Sequence, residues 1–130
     1  MLAEINFLSV LVAAVAAFIV GAIWYSPIVF LPRWAREVGI DPSEDIANPG
    51  KVYGLTFIFT LLASLSMAII LPATASLASA VTIALVVGLG IVASSLGINY
   101  QFARNSTVHW LIDSGFHVVR LVVIAVVLSV

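Results

Sequence analysis

The stretch VHWLIDSGFHVVRLVVIAVVLSV, residues 108–130, decides the class of this chain. Read as a helix at about 1.5 Å per residue, it is long enough to cross a hydrocarbon core of about 30 Å. Yet it carries His109, Asp113, His117 and Arg120, spaced 4, 4 and 3 residues apart. At about 100° per residue, that spacing sets all four on one stripe of the helix. Ionisable groups inside a membrane are costly and face a partner, a cavity or a pathway. The rest of the chain must supply what the stripe faces.

Working outward, the whole chain is 63% hydrophobic and 8% charged over 130 residues, with a mean hydropathy of +1.24. A soluble domain carries about 25% charged residues. The expected fold is therefore an all-α integral membrane protein in one domain. It is a compact bundle of four transmembrane helices, with a short interfacial helix in the first loop. The spans are expected near residues 5–24, 52–71, 80–96 and 108–130. No cysteine is present, which excludes disulfides and thiolate chemistry. A net charge of −1 with no basic run argues against nucleic acid. The residues before the first apolar run include Glu4 and no Lys or Arg, unlike a signal peptide's positive leader, so a retained span is expected.

Pro27 and Pro72 stop the first and second spans. Small residues recur every four positions at Ala13, Ala17 and Gly21, and again at Ala80, Ala84 and Gly88. Gly90, Ala93, Ser94 and Gly97 make a second small face on the third span, which predicts a central helix packed on both sides. Thr56, Thr60, Ala63 and Met67 share a face of the second span, with Ser64 at its edge. The hydroxyls either line a polar path or bond back to their own helix carbonyls. In the first loop, PRWAREV at 32–38 reads as a surface helix with Trp34 and Val38 on its apolar side. Asp41, Glu44 and Asp45 lack the spacing of a calcium loop and read as a solvated turn.

Lys and Arg set the orientation. Arg33, Arg36, Lys51 and Arg104 all fall in the first and third loops, and the ends and the turn at Pro72 carry none. The positive-inside rule puts those loops in the cytoplasm and both termini outside. Trp24, Tyr25, Trp34, Tyr53, Tyr100 and Trp110 gather on the same side. Belts of anchoring aromatics occur at both interfaces, so this one-sided set implies a site opening toward the cytoplasm. Ile23-Trp24-Tyr25 and Ile98-Asn99-Tyr100 echo each other at equivalent ends of two spans.

With His109 at the interface, Asp113 lies about 6 Å deeper, His117 about 12 Å and Arg120 about 16 Å. Arg120 is then too deep for simple snorkelling, and Asp113 is the only acid within a span. The two meet directly, through His117, or through water. Such a ladder can fix packing as an ion pair, carry protons or hold an anion. The expected candidate site comprises Trp24, Tyr25, Asn99, Tyr100, Arg104, His109, Asp113, His117 and Arg120. The leading expectation is a protein that binds or moves a small solute or protons. The alternative is an accessory subunit of a larger membrane complex or homo-oligomer, joined through the glycine and alanine faces. No enzyme is expected, because no nucleophile–base pair is legible. No metal site or cofactor is expected. Haem is the alternative, and would need histidines from two copies, since His109 and His117 are about 12 Å apart along one helix.

Two motifs carry a resemblance. One is GAIWYSP at 21–27 with Phe30 and Trp34. The other is INYQF at 98–102 with Arg104 and LIDSGFH at 111–117. Together they resemble a bacterial family of small membrane proteins, domain of unknown function 1761, over nearly the whole chain. The resemblance implies a four-span protein of the bacterial inner membrane and brings no established activity, cofactor or substrate. It points to Asp113 and His117 as shared positions. The chain departs from the pattern at Phe116, where the family more often has Tyr, and Arg120 lies outside the motif.

Overall fold

The structure, a computed structural model, describes residues 2–130. The described residues are helical, without a strand. Four helices are long and apolar enough to cross a membrane: α1 (Phe7–Trp24), α3 (Pro49–Ile70), α4 (Leu77–Phe102) and α5 (Thr107–Ser129). The short α2 (Leu31–Val38) lies between α1 and α3.

Local chemistry sets the ends. The Asn6 side chain accepts from the Leu8 and Ser9 amides at 3.1 and 3.2 Å, capping α1. Ser76 caps α4 and Ser106 caps α5 in the same way, through the Ser79 and His109 amides. Gly39 ends α2 at φ 85°, a left-handed value suited to glycine, while its amide and that of Ile40 bond the Ala35 carbonyl. Pro72 follows the last residue of the α3 cap, Leu71.

α5 is the hub, touching α1, α2, α3 and both halves of α4. The central position expected for the third span belongs to α5 instead. The reason is visible in the small residues. Ala13 and Ala17 of α1 and Ala80 and Ala84 of α4 are buried in one core with Leu121, Ile124 and Ala125 of α5, and Met67 and Leu71 complete it. Glycine and alanine let backbones approach, and here their neighbours are helices of the same chain. A Cβ on Gly88 would meet the Val118 backbone at 3.2 Å, and one on Gly97 would meet the Trp110 indole at 3.2 Å.

α4 runs to Phe102, past the expected end near 96, because Gly97 acts as a seat for Trp110 rather than a breaker. Its middle, Val86–Ala93, is π-helical. The residues facing α5 step by four through Ala80, Ala84 and Gly88. They then step by five to Ala93 and by four to Gly97. One turn of wider helix shifts the phase by about a residue. The two small faces read from the sequence thus merge into one stripe, and Gly90 is left in open space.

The α3 hydroxyls serve structure. Thr56 and Thr60 donate to carbonyls four residues back at 2.7 Å. Ser64, fully buried, donates to the Val10 carbonyl of α1 at 2.8 Å.

Candidate functional site

The site forms where α1 ends. Residues 25–30 make a compact turn, with the Phe30 amide on the Trp24 carbonyl and the Leu31 amide on the Ser26 carbonyl. The Trp24 and Phe30 rings pack 4.7 Å apart. The turn carries α2 back across the start of α5. One apolar residue of α2, Trp34, is thereby pointed inward rather than at the membrane surface.

Asp113 is the centre. One oxygen, Oδ1, accepts from the Tyr25 hydroxyl at 2.6 Å and the Trp34 indole N–H at 3.1 Å. The other, Oδ2, accepts from the Tyr100 hydroxyl at 2.5 Å and lies 2.9 Å from Nε2 of His109. The donors come from the end of α1, from α2, from α4 and from α5 itself. With two donors on each oxygen, the carboxylate is held in one orientation. The rings close around it: Tyr25 stands edge-on to Trp34 at 5.9 Å and to Phe116 at 5.4 Å, and Tyr100 lies 4.9 Å from His109. Burial first, then its bond to Asp113, pushes the Tyr25 phenol above its ordinary range, so this hydroxyl stays a donor.

A second bond fastens α2. Ser106, while capping α5, donates its hydroxyl to Glu37 at 2.6 Å, and Arg33 lies 3.4 Å from the same carboxylate. The Ser106 hydroxyl, with help from Arg33, holds the Glu37 carboxyl below the usual carboxylate range. The two remaining indoles bond to backbone: Trp24 to the Ile112 carbonyl at 3.0 Å, and Trp110 to the Ala93 carbonyl, at the end of the π-helical segment, at 2.9 Å. Trp24 also covers Gly115, where a Cβ would sit 3.0 Å from its ring. Among the described residues, the buried Ser26 and Ser114 hydroxyls have no partner. An open groove of about 400 Å³ runs beside the cluster, lined by Tyr100, Gln101, Asn105, Ser106, Thr107 and Trp110 among others. Tyr100 thus borders both the groove and the carboxylate.

The expected ladder is divided. Arg120 does not reach Asp113. Its Nε donates to Nδ1 of His117 at 2.8 Å, and its guanidinium carbon lies 5.9 Å from the Phe116 ring centre. Asp113 is occupied by nearer donors from other helices, which a reading of α5 alone could not weigh. Of the nine expected site residues, Tyr25, Tyr100, His109 and Asp113 form the cluster, and Trp24 packs beside it. His117 and Arg120 form a separate pair. Asn99 and Arg104 are exposed and take no part, and Arg104 sits in the tight turn at φ 60°.

Trp34 is the residue that sequence reasoning placed on a surface helix and the structure places on Asp113. The signal was there, in the gathering of aromatics on one side and in the Trp34 of the first motif. Glu37 and Ser106 gave no comparable sign.

No curated protein and no solved structure matches the chain. The family match spans residues 8–129, and therefore includes every side chain around Asp113 and the Arg120 pair. The chain belongs to the family described as Protein of unknown function (DUF1761).

Proposed function

We propose that this chain is a multi-pass membrane protein that binds and passes protons at the Asp113 cluster. The observation that carries the reading is one carboxylate, the only acid in the four long helices, bonded to an imidazole at 2.9 Å and to phenols at 2.6 and 2.5 Å. An imidazole and a hydroxyl can each pass a proton on, because each both donates and accepts. Tyr100 leads from the open groove to the carboxylate. The basic loops favour a cytoplasmic opening, with both termini on the other side of a cell membrane. The reading invokes no catalytic step and no cofactor. Four spans enclose little space for a continuous path, so further copies or a larger membrane partner belong to it.

A second reading has its own support. All four bonding positions of Asp113 are filled, as expected of a keystone that joins α1, α2, α4 and α5 in an accessory subunit. Liposomes holding the wild-type protein, Asp113→Asn and His109→Gln separate the two. Loss of dye-reported proton movement in variants that fold and insert normally supports proton handling. Variants that fail to fold or assemble, together with a wild type that moves no protons, overturn it in favour of the keystone.

A further inference from the structure

Arg120 is the group that the Asp113 cluster does not explain. It lies thirteen residues past the start of α5 and nine before its end, close to the middle of the longest uninterrupted α-helical span. A guanidinium at that depth is costly without a counter-charge. Among the described residues it makes one hydrogen bond, from Nε to His117, and no carboxylate lies within ion-pair distance. Phe116 covers one side of it. The residue is half-buried, and its two terminal nitrogens have no hydrogen-bond partner among the described residues.

The acid inventory narrows what can approach. The chain has six acids. Glu37, Asp41, Glu44 and Asp45 belong to α2 and the loop after it, Glu4 precedes α1, and Asp113 is saturated by four donors. A second copy brings the same acids at the same levels, so a homo-oligomer does not supply the missing charge. Lipid phosphates sit at headgroup level, roughly 15 Å from the bilayer centre. Beyond this chain, its copies and the lipid headgroups, a small anion that enters the span can supply the charge. His117 engages the Nε side of the guanidinium and leaves its two-nitrogen end free. Two parallel N–H groups match the two oxygens of a carboxylate better than they match a spherical ion.

We propose that Arg120, positioned by His117 and Phe116, binds a small monocarboxylate anion in the middle of the span. The proposal rests on the membrane placement of α5, and not on proton handling at Asp113.

The test uses the full chain in vesicles of pure phosphatidylcholine, with acetate and chloride as probes. Saturable acetate binding is expected, tighter than chloride. Arg120→Gln should weaken it at least about tenfold, and Arg120→Lys should fall between, since lysine keeps the charge and loses the fork. Asn99→Ala, at an exposed residue outside both clusters, should keep it. Nitrogen NMR of the wild type needs no variant: acetate should move the Arg120 terminal nitrogens and leave those of exposed Arg33, Arg36 and Arg104 in place. Three results overturn the proposal. They are a folded wild type with no saturable acetate binding, Arg120 resonances that ignore acetate, or occupancy that requires phosphatidylglycerol, which would assign the site to a lipid phosphate. Failure of proton movement in the liposome experiment leaves these readouts unaffected.

Discussion

The two halves of α5 are held by opposite means. Near the loops, Asp113 gathers four donors, and Trp24 and Trp110 bond to backbone carbonyls. In the far half, Leu121, Ile124 and Ala125 are buried against Ala13, Ala17, Ala80, Ala84 and Met67. Lipid tails are as apolar as leucine, so burying a leucine between helices gains little over leaving it in lipid. The far half therefore depends on how closely small residues let the backbones approach. The loop half depends on directed bonds that share one acceptor. The first kind of contact is vulnerable to added bulk, and the second to loss of a single atom group.

That contrast can be broken most directly at its acceptor. Asp113→Ala strands two phenols, an indole and an imidazole at once, and should cost about 3 kcal/mol or more in unfolding free energy measured in detergent micelles. A loss below about 1 kcal/mol would show that water replaces the carboxylate readily. In the far half, Gly88→Leu drives a side chain into the Val118 backbone and should cost about 2 kcal/mol by the same assay. Trp34→Phe keeps the ring and removes one donor, so about 1 kcal/mol is expected, seen chiefly as faster amide exchange across residues 31–38.

Acid gives a smaller, local effect. The Glu37 carboxyl is held below its ordinary range, so its contribution is present at neutral pH and is lost as pH falls through the folded value. Amide exchange in α2 should rise on that acid limb, and Ser106→Ala should remove most of the pH dependence. Smallest of all, Asn99→Ala and Arg104→Ala should each stay within about 0.5 kcal/mol of wild type, since both are exposed and unbonded to the cluster.

The four long helices were legible because their apolar runs and the prolines at 27 and 72 leave few other readings. Asp113 was legible too, as the one acid in a span. Its partners were less so. Tyr25 and Tyr100 could be read from the aromatic side of the molecule, but Trp34 depends on the turn at residues 25–30 folding α2 inward, which periodicity does not encode. Asn99 was misplaced for a related reason. An α-helix ending near 96 leaves residues 97–107 as a polar loop, whereas the helix runs on to Phe102, and there successive residues stand about 100° apart, so Asn99 and Tyr100 face different sides.

The π-helical turn gives α4 two separately clocked ends. Because the wide turn already absorbs one residue, removing one between 86 and 93 should let the segment close to an ordinary α-helix, with the small stripe stepping by four throughout and the Tyr100 phenol still aimed at the carboxylate. Adding one residue instead should leave both ends helical and apolar, yet rotate the Tyr100 end by about 100° relative to the Ala84 end. A single-codon insertion in this segment is thus a mutation to which hydropathy is blind and site geometry is not.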